Sequence, residues 1–202
     1  MARATRSKDA GATKLTALEK SFVFYASYHN EPVNQWIHII FVWQILFSAF
    51  AMLAYTPAVL PGLDPMFNWN LLICSMYATY YILLDFSASA CHLASALSIA
   101  GYFLAVYLKS AYPVESFHWA LRVHIFSWLT QFYGHFFHEG RSPALFDNLF
   151  LSLAMAPLFV IMECMFSFGY RPDFRKKAQV LVDEQINAWA REKVEKARKK
   201  KT

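Results

Sequence analysis

The middle of this chain has almost no charge. Most of its 19 Lys and Arg lie in the first 20 residues or the last 32, and residues 34–168 are nearly free of them. Only 16% of all residues are Asp, Glu, Lys or Arg, against about 25% in soluble domains. That shortage, with long apolar runs and a mean hydropathy of +0.27, excludes a soluble globular domain. The net charge of +5 sits at the two ends, so it reads as membrane orientation and headgroup attraction, not nucleic-acid binding. Cysteine is scarce as well. Cys74, Cys91 and Cys164 lie in apolar segments without a CxxC or zinc-type pairing, as small buried apolar residues do. The polar, basic start lacks an apolar stretch behind it, which excludes a cleavable signal peptide and leaves the first span to act as the signal. GxSxG, GxGxxG, P-loop and HExxH motifs are absent. So are the multiple histidine boxes of membrane desaturases, which favours a single metal over a di-iron pair.

What the chain does contain is apolar helix. Residues 1–16 read as a disordered basic tail, and Leu15–Tyr28 as a short amphipathic helix on the membrane surface, ended by Pro32. Trp36–Tyr55 is a first span of about 20 uncharged residues. Trp69–Leu84 and Ser87–Leu108 follow, separated only by Asp85 and Phe86, which implies a tight helical hairpin. Phe117–Phe137 is apolar but carries His118, Arg122, His124 and His135, and Ala144–Phe168 is a last apolar run broken by Pro157. Residues 170–202 read as a charged, helical cytosolic tail after a membrane domain at 17–169. The fold class is therefore all-α, a polytopic membrane bundle.

Basic residues at both ends place both termini in the cytosol and require an even number of crossings. Five apolar segments are odd. With Pro157, Asp147 and Glu163 in it, the last is expected to form a re-entrant or interfacial hairpin, leaving about four spanning helices. This topology brings His29, His38 and His135 to one face of the membrane. The final Lys199-Lys200-Lys201-Thr202 matches a dilysine retrieval signal, which implies the endoplasmic reticulum.

The chemistry concentrates between Trp128 and Leu149, where Gln131, His135, His138, Glu139, Arg141, Asp147 and Asn148 crowd the end of an apolar segment. Ionisable groups in such segments are costly and usually mark function or a buried pair. Three histidines at one depth, His29, His38 and His135, suit a non-haem Fe(II) or a zinc site, with Asn34 and Gln131 bonding the second ring nitrogens. His135 forms an HxxH with His138 and an HxxxE with Glu139, and neither pair is specific alone. His124 lies ~16 Å from His135 along a helix, too far to share an ion. Its expected role, like that of His92 and His118, is structural. Arg141 is either a snorkelling anchor or a clamp for a substrate carboxylate. Asp147 and Asn148 suit helix capping as well as substrate binding.

Two blocks, Phe24–Trp43 and Trp128–Leu149, resemble the family of small membrane proteins related to the fungal endoplasmic-reticulum 2-hydroxy fatty acid dioxygenase. The resemblance rests on Tyr28-His29, Pro32, Asn34, Ile37-His38, Gln131-Phe132, Gly134-His135, Glu139, Arg141, Pro143-Ala144-Leu145 and Asp147-Asn148-Leu149. The chain departs from the pattern at His138, where an apolar residue is expected. The resemblance implies an Fe(II)-dependent dioxygenase of fatty acid α-oxidation that takes a 2-hydroxy fatty acid and O₂. The product is a fatty acid one carbon shorter, with CO₂ lost, as in phytosphingosine breakdown. It implies His29, His38 and His135 as iron ligands and Glu139 as a fourth ligand or a supporting group. Arg141 and Gln131 would assist catalysis, and Arg141, Asn34, Asp147 and Asn148 would contact substrate. The rival readings are a non-catalytic lipid-binding or scaffolding membrane protein and a zinc-dependent lipid hydrolase.

Overall fold

The computed structural model describes residues 15–199. The expected disordered tail at 1–16 and the last three residues of the dilysine motif lie largely or wholly outside that range. The regular elements of the described chain are helices, joined by loops: α1 (Ala17–Ala26), α2 (Pro32–Leu53), α3 (Trp69–Leu84), α4 (Ser89–Ala111), α5 (Glu115–Tyr133), α6 (Leu149–Ser167) and α7 (Pro172–Lys199). A π-helical turn, Gly134–Glu139, and a short 3₁₀ turn, Ala144–Phe146, link α5 to α6.

Local chemistry sets the helix starts. Thr16 and Glu19 form a reciprocal capping box at α1. Pro32 opens α2 at its first position, where a missing N–H costs nothing, and Glu31 caps it by accepting from the Asn34 amide. Asn68 and Asn148 cap α3 and α6 in the same way. Asp85 turns α3 into α4, as the two-residue break implies.

Three helices, α2, α4 and α6, are long and apolar enough to cross a membrane. Helix α3 is apolar but has only 16 residues. Large apolar side chains face outward all round, among them Trp36, Phe103, Trp119, Leu129 and Phe137. An aqueous surface does not tolerate so many, and a bilayer does. This is a membrane protein.

The hairpin expected at the C-terminal run is not formed. Helix α6 is one continuous helix through Pro157, and its middle is among the most buried parts of the molecule. Proline removes the N–H that would pair with the Leu153 carbonyl, four residues back. The hydroxyl of Tyr77 on α3 donates to that carbonyl instead, at 3.1 Å, and Tyr81 donates to the adjacent Ala154 carbonyl at 3.0 Å. The break foreseen at Pro157 is thus repaired by a neighbouring helix, as apolar surroundings demand. Tyr77→Phe is expected to lower stability by about 1 kcal/mol, because it leaves the Leu153 carbonyl bare. Tyr81→Phe should cost less, since the Ala154 carbonyl keeps its place in the helix. Thermal unfolding in detergent measures both.

Helix α1 does not lie exposed on a surface either. Leu18, Phe22, Val23 and Tyr25 are buried, and Phe22 packs its ring against Phe159, Phe166 and Phe174. Helices α6 and α7 therefore cover α1. The apolar side of α7 (Phe174, Ala178, Val182, Ile186) recurs at helical spacing and supplies this cover.

Two ion pairs tether α7 and the turn before it. Lys177 donates to Glu19 at 2.7 Å, and Arg171 pairs with Asp85 at 2.9 Å. The hydrogen bond from Lys177 holds the Glu19 carboxyl below its usual range. Burial works against ionised Asp85, but hydrogen bonds from Ser87 and Arg171 outweigh it and hold its carboxyl low too. An acid with a depressed pKa stabilises the fold above its unfolded pKa and loses that contribution as pH falls through the folded value. The tether should therefore weaken on acidification below about pH 4. Glu19→Gln with Asp85→Asn mimics that state and should expose α7 to trypsin at neutral pH.

Candidate metal centre

His29 lies in the turn after α1, His38 two turns into α2, and His135 in the π-helical turn after α5. The three are 2–3% exposed, and each offers a ring nitrogen within 4.8 Å of the others. Their ring centroids are 4.2, 4.7 and 4.9 Å apart. Among the described residues this is the one cluster of three or more His, Cys, Asp or Glu able to share an ion.

Backbone carbonyls fix two of the tautomers. His29 Nδ1 lies 2.8 Å from the Tyr25 carbonyl, and His38 Nδ1 lies 2.8 Å from the Asn34 carbonyl. A carbonyl only accepts, so both Nδ1 atoms carry the proton and both Nε2 atoms keep a lone pair. His29 Nε2 and His135 Nδ1 are buried without a hydrogen-bond partner. Buried polar atoms are rarely left so, and a cation would satisfy them. Burial, reinforced by His38 and His135, pushes His29 well below its usual pKa and keeps it neutral, the form that binds metal. Tyr25 stacks flat on the His29 ring, with centroids 4.1 Å apart, and fixes its plane. The donor set fits a metal ion.

The π-helical turn brings α5 to this point. Such turns insert an extra residue per turn and often mark functional sites. Here the turn directs His135 inward and lets Glu139 reach α2. Glu139 accepts from the Asn30 and Glu31 amides at 3.1 and 3.0 Å and from Asn34 Nδ2 at 3.0 Å. Its charge thus sits at the N-terminus of α2, where it is favoured, and it is not one of the clustered ligands. Asn34, fully buried, ties Glu139 by its side chain to His38 by its carbonyl. The expectation that the Asn34 amide side chain holds a histidine is therefore corrected, because the main chain does so.

A cavity of about 290 Å³ opens from the three histidines and runs between α2, α3, α5 and α6. Gln131 lies at the histidine end, one turn before His135, and its buried Nε2 is unpaired. Ser152 of α6 also lines the cavity with an unpaired hydroxyl. The other walls are mostly apolar.

Of the remaining candidates only His124 shares this lining. Arg141 donates to the Ser27 carbonyl at 3.0 Å and lies over the rings of Tyr28 (3.5 Å) and Trp189 (5.0 Å). Asp147 accepts from the Tyr28 hydroxyl, and Asn148 caps α6. His138 packs against Tyr133. His124 accepts from the Trp128 indole at Nε2 and so donates from Nδ1 to Ser48, which leaves no nitrogen for a metal. Three contributors went unread in the sequence. The Tyr25–His29 spacing of four residues was a usable signal for the first. Ser152 and Trp189 left none, since one is a serine in an apolar run and the other belongs to a charged tail.

Fold and site together define a helical membrane protein with a preformed three-histidine centre at the head of an apolar cavity. The family model described as "2-hydroxy-palmitic acid dioxygenase Mpo1-like" matches residues 15–168, and the chain belongs to that family. It is 31% identical to the 2-hydroxy-palmitic acid dioxygenase MPO1 of Saccharomyces cerevisiae over 172 residues, 85% of this chain and 92% of the yeast protein. No solved structure matches it.

Proposed function

We propose that the protein is an Fe(II)-dependent 2-hydroxy fatty acid dioxygenase of the α-oxidation type, with His29, His38 and His135 as the ligands. The observation that carries this reading is the junction of a buried three-histidine cluster with a narrow apolar cavity. A polar head at the histidines and an acyl chain behind it fill that shape. The reaction breaks the C1–C2 bond. A 2-hydroxy acid and O₂ become the acid one carbon shorter, CO₂ and water. Bound Fe(II) would supply open positions for O₂ and for the hydroxyl and carboxylate of the substrate.

The chain's own groups do the rest. Tyr25 and Asn34 hold two imidazoles in their ligating tautomers through their carbonyls. Glu139 braces the start of α2 and keeps His38 at its depth. Gln131 Nε2 is free to donate to a substrate oxygen at the histidine end. The apolar walls keep water from the reacting carbon. Arg141, stacked outside the cavity, is read as a brace for the Tyr28–Asp147 contact. The basic tails support a membrane protein with both ends cytosolic.

The deciding experiment loads purified protein with Fe(II) without oxygen, then adds O₂ and 2-hydroxypalmitate. The expected product is the odd-chain acid one carbon shorter, and its absence would sink the reaction. Stoichiometric zinc in place of iron would favour a hydrolase.

A further inference from the structure

The cavity has a defined far end. On α2, His38, Val42, Leu46, Ala49 and Phe50 form one stripe along it, and on α5 the stripe from His135 back to His124 runs beside them. From His38 to Phe50 this is ~18 Å of helix. There the cavity is closed from three sides. Phe50 is fully buried and meets Tyr77 edge to face, with centroids 6.2 Å apart. Its ring lies flush on α4, because a Cβ at Gly101 would come within 2.9 Å of it. Ile73 of α3 lines the same end. The Ser48–His124 hydrogen bond, 3.0 Å, joins α2 to α5 at this level, and the Trp128 indole holds the His124 ring from within α5. Packed side chains thus back this end of the cavity.

We propose that this end, built from Ala49, Phe50, Ile73 and His124, is the ruler that sets the length of acyl chain the site accepts. The inference rests on the functional reading above. A chain whose head meets the histidines reaches the Phe50 ring at a fixed carbon. Longer chains meet packed side chains held from behind by α4, and shorter ones leave part of the cavity unfilled.

The test gives wild type and variants a graded series of 2-hydroxy acids, from twelve to twenty-four carbons. Two readouts are taken: turnover after Fe(II) loading, and thermal stabilisation by the same acids without O₂. Phe50→Ala should raise the relative kcat/KM for acids longer than the wild-type optimum by about 10-fold or more, since each methylene matched to a pocket is worth at least that much. Ala49→Phe should move the optimum the other way by several carbons. Ile73→Ala and Ile73→Phe, on a different helix, repeat the two directions independently of α2. Parallel shifts in both readouts support the ruler. Variants that respond to the acids with an unchanged length profile overturn it. A wild-type protein that neither turns over nor is stabilised by any acid overturns the function proposed above, and the ruler with it.

Discussion

Alanine at His29, His38 or His135 is expected to abolish stoichiometric metal binding and turnover while leaving the protein folded. The rings make few hydrogen bonds that hold the fold together. His29 and His38 each make one hydrogen bond through Nδ1, and that bond reaches a carbonyl within their own chain segment. His29 Nε2 and His135 Nδ1 are buried without a partner, so removing either ring relieves a cost there instead of breaking a bond. Changing a supporting residue around a metal typically costs 10–100-fold in affinity. Removing a ligand itself should cost more, so activity should drop by about 100-fold or more. Doubly substituted variants should be no worse than single ones, because the ligands act as a unit. A second readout separates metal loss from misfolding. Metal at a hundred times its Kd stabilises a protein by about 2.7 kcal/mol. Wild type should therefore gain thermal stability on adding Fe(II), and the three variants should not. His124→Ala and His138→Ala are the controls, since neither side chain reaches the centre, and both should keep the metal. A His38→Ala protein that binds iron like wild type would remove the basis for the proposed site.

The same residues show how far local pattern reaches. The segment Trp69–Leu84 has the same ends in the structure as in the hydropathy, because a capping Asn68 and a turn-forming Asp85 bound an unbroken apolar run. The convergence of His29, His38 and His135 was also expected, although the crossing count behind it assumed a hairpin that the continuous α6 replaces. The pair partners were not. Pro157 looks like a break in any local reading, and only Tyr77, eighty positions upstream, restores the lost hydrogen bond. The π-helical turn at Gly134–Glu139 was hidden for a related reason. Its last residue, Glu139, is held by the start of α2, whereas the sequence there has ordinary helical spacing. The charge of α7 reads as a solvated tail, yet its sparse apolar stripe, Phe174 to Ile186, has α1 to cover. In each case a distant contact decides the outcome, and for Tyr77 and the π-helical turn it falls beside the site.

Gly134→Ala should be the most damaging substitution that touches no proposed ligand. Glycine to alanine within a helix ordinarily stabilises by up to about 1 kcal/mol. Here the added Cβ would stand 2.4 Å from Asn34 Oδ1 and 3.1 Å from Ile37 Cδ1. Asn34 has no room to yield. It is fully buried, its amide donates to Glu31, its side chain donates to Glu139, and its carbonyl accepts from His38. The strain must therefore pass to the Glu139 contact and to the His38 ring. Overpacking of this kind costs about 1–3 kcal/mol, which outweighs the gain in helix propensity. Metal affinity should fall by about 10–100-fold, the range seen when a supporting contact is lost. A double-mutant cycle isolates the cause. Asn34→Ala alone should also weaken metal binding, by releasing Glu139. If the clash with Asn34 is what harms Gly134→Ala, the double variant should bind metal no worse than Asn34→Ala alone, a clear departure from additivity. Additive losses would mean that alanine damages the π-helical turn itself, and the close approach of α5 to Asn34 would then not be what sets His38 in place.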